Sequence, residues 1–187
     1  MSNDMIGHRL TRFLKVFAKD NSGGVTIEFV MVMPFLFWAF MASYVYFDGY
    51  RQSATNLKAA FTISDLISRE TNAINDEYID SMHNLLELMT RATSQTELRI
   101  SVLRWDEEDD RYYVSWSEAR NMEDTWTDDN VDKIEAKLPI MSDQDRLILV
   151  ETGNTFVPLY NVGMENKKLS NFVYTRPRFA PQVIWES

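Results

Sequence analysis

The side chain with the most chemical consequence is Glu28. It lies four residues after Gly24 and directly before Phe29–Phe47, nineteen residues without a charge. A carboxylate at the mouth of an apolar run has two uses. It can face the membrane interface, or it can pair with a cation brought by another chain, because an unpaired buried charge is costly. The preceding Asp20-Asn21-Ser22-Gly23-Gly24 is a flexible breaker whose exposed backbone suits cleavage. Elsewhere the chemistry is thin. There is no Cys, and the two His are His8 and His83, which excludes a Cys metal cluster and leaves little for a histidine triad or metal site. No nucleophile elbow, metal motif or phosphate loop occurs, so no catalytic residue, cofactor or metal is expected. Asp106-Glu107-Glu108-Asp109-Asp110 offers oxygen ligands for Ca²⁺. It lacks a Gly for the tight turn and alternating ligand spacing, which favours a solvated loop.

The element that must position Glu28 is the apolar run itself. As a helix, nineteen residues rise roughly 28 Å, close to the hydrocarbon thickness of a bilayer. Nine of them are Phe, Val or Leu, which together favour insertion by about 3–5 kcal/mol. Pro34 removes the hydrogen bond to the Val30 carbonyl, so a kink or local loosening is expected there. Tyr44, Tyr46 and Tyr50 suit an interfacial aromatic belt at the far end. Residues 1–24 hold four Lys/Arg against two Asp, whereas 48–187 hold fifteen Lys/Arg against twenty-five Asp/Glu. The positive-inside rule then puts the N-terminus in the cytoplasm and the acidic domain beyond the inner membrane. That acidity also argues against nucleic-acid binding. His8–Lys19 reads as a basic amphipathic helix on the cytoplasmic leaflet, with Leu10, Phe13, Leu14 and Phe17 on one face. A secretory signal peptide is disfavoured, because the run is too long for its apolar region and no A-x-A-like site follows.

The succession of a basic leader, Gly23-Gly24-Val25-Thr26-Ile27-Glu28-Phe29 and Val32-Met33-Pro34-Phe35 resembles the type IV prepilin signal in its TadE/TadF-like pseudopilin form. The resemblance is specific over residues 22–38 and extends to the rest of the chain in layout. It implies cleavage by a prepilin peptidase on the cytoplasmic side. Placing Glu28 fifth in the mature chain sets the cut between Gly23 and Gly24, while a cut after Gly24 would make it fourth. It also implies a role for Glu28 and Phe29 in peptidase recognition and assembly. The carboxylate would pair with the new α-amino group of a neighbouring subunit and so impose register on packed helices. The Arg176-Pro177-Arg178-Phe179 tail is similar to the closing segment of TadE-like proteins, although two solvated or salt-bridged arginines explain it as well.

Past the membrane, Ala54, Leu57, Ala60, Phe61, Ser64 and Ile67 recur at helical spacing opposite Arg51, Gln52, Thr55, Lys58, Thr62 and Asp65. The spacing predicts one helix of about 45 residues, half of it amphipathic. A second helix is predicted over 76–92, buried through Ile79, Met82, Leu85, Leu86 and Met89, with His83 beside that stripe. Alternation then predicts strands at Glu97–Trp105 and Arg111–Ser117, forming a hairpin around the acidic loop. A short helix is expected at Val131–Leu138, with Trp126 the one large anchor in the polar stretch before it. A short strand is expected at Arg146–Val150, a turn or bulge at Thr152-Gly153-Asn154, and a strand at Leu169–Thr175. The proline-limited C-terminal segment is expected on a sheet edge.

The expected class is therefore α+β. A transmembrane helix continues into a long amphipathic helix packed on a mostly antiparallel sheet, a pilin-like layout. The divisions are a leader at 1–23, a transmembrane helix at 24–47 and an extracytoplasmic domain at 48–187. By the resemblance, the expected role is that of a minor pilin or pseudopilin in a Tad-type (Flp) pilus or related secretion machine. Its partners would be the prepilin peptidase, the major pilin, other pseudopilins and membrane lipid. The alternative is a membrane-tethered extracytoplasmic binding or sensor domain without enzymatic activity.

Overall fold

The computed structural model of the chain describes residues 24–186. The basic leader, with Gly23, lies outside the described residues. The first helix, α1, runs over Gly24–Ser68, forty-five residues as the periodicity predicts, and it stays helical through Pro34. It ends where the backbone N–H groups of Arg69 and Glu70 turn back to the carbonyls of Leu66 and Ile67, tightening the last turn. The chain separates into two compact units, with the division between Tyr44 and Val45.

In the first unit the described residues are all helical and none is buried. This part supplies a helix long and apolar enough to cross a membrane, with a mean hydropathy of 1.9 over an 18-residue window. In the second unit α1 has a buried row: Val45, Asn56, Ala59, Ala60, Ile63, Ser64, Ile67 and Ser68. That row differs from the predicted one. Leu57 and Phe61, expected in the core, are 42% and 56% exposed. Two apolar rows compete on this helix. The row that carries Ala59, Ile63 and Ile67 packs on the sheet, which leaves the larger Leu57 and Phe61 outside.

The second helix, α2, spans Asp76–Thr90. Asn75 caps it by accepting a hydrogen bond from the Tyr78 backbone, and Asp76 and Glu77 complement the helix dipole in the first turn. Arg91 closes it in the left-handed region, with φ of 47°, donating its N–H to the Glu87 carbonyl.

Four strands follow: β1 (Glu97–Asp106), β2 (Arg111–Arg120), β3 (Arg146–Phe156) and β4 (Lys167–Thr175). They form one sheet in the order β2-β1-β3-β4, and every neighbouring pair is antiparallel. The fold is thus α+β, as expected. A bulge lies between Val102, opposite Trp116, and Leu103, opposite Val114. The extra residue, Ser115, lets β2 send Trp116 to one face and Val114 and Tyr112 to the other, so both faces acquire aromatic cover.

Both faces are buried, by different means. On one face Leu98, Ile100, Val102, Ile148 and Val150 pack with Ala59, Ile63 and Ile67 of α1 and Ile79 and Leu86 of α2. On the other, Leu103, Leu147 and Leu149 pack under the connection from β2 to β3, through Val131, Ile134 and Met141. That connection contains a 3-10 helix over Val131–Lys137, where a short helix was predicted. Trp126 anchors it. Its Nε1–H donates to Glu151 Oε2 at 2.6 Å, which also accepts from Arg99 Nε at 2.7 Å, and the Arg99 guanidinium lies 4.2 Å from the Trp126 ring centre.

Two further expectations fail. Thr152-Gly153-Asn154 is no turn: these residues pair with Glu97 and Leu98 of β1 or with β4 throughout, inside one eleven-residue strand. Gly153 is there because the Glu97 side chain crosses it, and a Cβ would lie 2.5 Å from Glu97 Oε2. The C-terminal segment is no edge strand. Pro177 and Pro181 break the ladder. The chain instead runs back under the helices, where Arg178 N–H donates to the Ser68 carbonyl and Trp116 Nε1–H to the Val183 carbonyl. It ends in a single parallel bridge between Ile74 and Trp185.

Candidate functional site

Gly24 is the first described residue of α1, and a side chain placed on it would meet nothing within 4 Å. Glu28 follows one helical turn later on the same side, since residues four apart share a face. Glu28 is exposed, and Phe29 beside it is 59% exposed. Among the described residues no side chain pairs with the Glu28 carboxylate. Pro34 lies about a turn and a half beyond, also exposed. Most apolar side chains from Phe29 to Phe40 share this exposure, with Phe35 at 64%, Phe37 at 60% and Phe40 at 72%, while Met33 and Ala39 are half-buried. The structure therefore brings Gly24, Glu28, Phe29 and Pro34 onto three turns of one uncovered helix. It adds no second element to them.

Such an arrangement performs no bond-making chemistry by itself. It offers a single exposed acid on an apolar helix. Among the described residues no group of three or more His, Asp or Glu is placed to hold a metal ion.

The other candidate groups are absorbed by the fold. Asp106, at the head of the acidic loop, accepts hydrogen bonds from the Asp109 backbone, Arg104 and Gln144. Desolvation opposes its charge, yet these donors hold its carboxyl below the usual carboxylate range. Asp109 accepts from the Tyr113 hydroxyl. His83 is half-buried beside the start of β1, with Nε2 at 3.0 Å from the Thr96 carbonyl and 3.2 Å from Asn121 Nδ2. Arg176 and Arg178 of the tail form ion pairs with Asp145 and Asp65.

Two features escaped the sequence. The first is a buried hydrogen bond of 2.8 Å from Asn56 of α1 to Asn154 of β3. A lone Asn in a helical stripe and another in a turn-like triplet gave no sign of meeting. The second is an exposed row on the domain half of α1. Phe47, Tyr50, Ala54, Leu57 and Phe61 recur at alternating spacings of three and four and all face outward. The sequence pattern places Ala54, Leu57 and Phe61 in the buried stripe, Tyr50 in the interfacial belt and Phe47 in the apolar run, so the row does not stand out as one surface.

Comparison of the chain with protein families, with curated proteins and with solved structures finds no match.

Proposed function

We propose that this chain is a minor pilin or pseudopilin that takes part in assembling a Tad-type pilus or related secretion machine. The observation that carries this reading is the state of α1. Its N-terminal turns present Glu28 among exposed apolar side chains with no cover from the described residues. A helix of that kind has to be covered by lipid and by other helices. The exposed row from Phe47 to Phe61 extends the demand for helical neighbours to the domain half, because a three-four repeat is the seam of packed helices. An α-helix laid on an antiparallel sheet is compatible with a pilin-like architecture.

In this account the prepilin peptidase removes residues 1–23 from the cytoplasmic side. Gly24 then carries a free α-amino group, and Glu28 of one subunit pairs with the amine of the next. The major pilin and other pseudopilins supply the neighbouring helices. The protein is a single-pass protein of the inner membrane, its N-terminus cytoplasmic and its domain periplasmic or extracellular. It performs no catalysis and takes no cofactor.

The test is Glu28→Ala in the full chain. Processing of the leader is expected to continue while pilus assembly fails. Filaments at the wild-type level would remove the pairing role. A reporter active only outside the cytoplasm, fused after Ser187, is expected to be active, and silence in a stably expressed fusion would reverse the orientation.

A further inference from the structure

Val45 belongs to the apolar run that ends at Phe47, yet it is only 1% exposed. Its cover comes from Phe156, the last residue of β3, and Leu169 of β4, with Val162 and Met164 packed against the same cluster. The connection between these strands, residues 157–166, is thus pinned at its root and at its middle to a residue inside the run. Val45 stands two residues before the end of the run, which is a rise of about 3 Å. Leu159 is three peptide units from Phe156, so it lies at most about 11 Å away. The interfacial layer of each leaflet is roughly 5–8 Å thick. The root of the connection therefore packs beside the last residues of the run, within reach of an interface set at Phe47.

Its composition suits such an interface. Val157 is 49% exposed, Leu159 68% and Tyr160 39%, and Glu165 is the sole charged residue from 157 to 166. Tyr is a residue of membrane interfaces. The opposite end of the same strands has the opposite character. β3 runs eleven residues from Arg146 to Phe156, roughly 33 Å. Beside its Arg146 end lies the loop Asp106–Asp110, five acids in succession. The two ends of the sheet thus differ: a connection with one charged residue, followed by Lys167 and Lys168, lies beside Val45, and the acidic loop lies at the far end.

We propose that the 157–166 connection is a membrane foot: Val157, Leu159 and Tyr160 enter the interfacial layer of the bilayer that α1 spans, so that the domain holds the membrane at two points. This rests on the single-pass part of the proposed function and on nothing else in it. The absence of Cys permits a direct test. Leu159→Cys, Val157→Cys, Phe40→Cys and Ile140→Cys are made singly in the full chain, spin-labelled and reconstituted in phosphatidylcholine–phosphatidylglycerol vesicles. Collision with oxygen, which concentrates in lipid, is compared with collision with a water-soluble nickel chelate. Ile140, 98% exposed and in the connection joined to the acidic end, is the aqueous control, and Phe40 is the lipid control.

The expected result is oxygen excess at Phe40, Leu159 and Val157 and nickel excess at Ile140. Nickel excess at Leu159 and Val157 with Phe40 still in lipid overturns the foot and leaves the span intact. Shielding of both positions from both reagents means that protein covers them, which also overturns it. Nickel excess at Phe40 removes the span and the foot together.

Discussion

α1 is one helix in two surroundings. From Gly24 to Tyr44 none of its side chains is buried, and from Val45 to Ser68 eight are. The backbone is helical in both halves, although the first is the more apolar and holds one charged residue, Glu28, against four in the second. What differs is who provides the cover. The second half has Ala59, Ile63 and Ile67 against the sheet, and its stability is a property of this chain. In the first half no described side chain is buried, and under the proposed function its cover comes from lipid and from other subunits. Substitutions in the two halves should therefore report on different processes.

The largest contrast is expected between Ile63→Ala and Phe40→Ala. Ile63 is fully buried, and truncating it should cost about 2–5 kcal/mol. Phe40 is 72% exposed, and its truncation should leave domain stability within about 0.5 kcal/mol. Urea unfolding of the full chain in detergent micelles, followed by tryptophan fluorescence, measures both. A large loss from Phe40→Ala would end the division of labour between the halves.

Asn56→Ala comes next. It strands Asn154, which is 2% exposed, without its partner, and a buried polar group left unmade costs about 1–3 kcal/mol. The paired variant Asn56→Ala/Asn154→Ala should be less damaging than the sum of the two single variants, because both ends of the bond are removed together. Additive losses would show that the two side chains act independently.

The smallest stability effect is expected from Phe61→Ala, within about 0.5 kcal/mol for an exposed position. Assembly should nevertheless weaken if the row from Phe47 to Phe61 seats a neighbouring helix. Unchanged pilus yield in that variant would leave the row without a function in the assembly.

These contrasts also explain what was legible in the sequence. Local patterns sufficed for the length of α1, for α2 and for the hairpin, because helical spacing, the Asn75 cap and strict alternation in β1 all act within a few residues. The face that α1 buries was legible only in part: Ala60, Ser64 and Ile67 of the expected stripe are buried, and Ala54, Leu57 and Phe61 are exposed. Its two rows are both apolar, and the buried one is tied to β3 by the hydrogen bond from Asn56 to a residue ninety-eight positions away. Gly153 and Asn154 looked like a turn because their types favour one. In the fold the Glu97 side chain requires the first and Asn56 satisfies the second. The prolines of the tail showed that it leaves the sheet's ladder, but not that Trp116 and Ile74 receive it. At the candidate site the order of residues carried the reading, and the structure adds that Gly24, Glu28, Phe29 and Pro34 stand uncovered on one helix.

The central claim concerns what begins the mature chain. Its most direct test is the intact mass of the full-length product purified from cells with an active prepilin peptidase and from matched cells without it. The account predicts loss of residues 1–23, leaving Gly24 as the first residue, in the first sample only. Retention of those residues in both samples would contradict it.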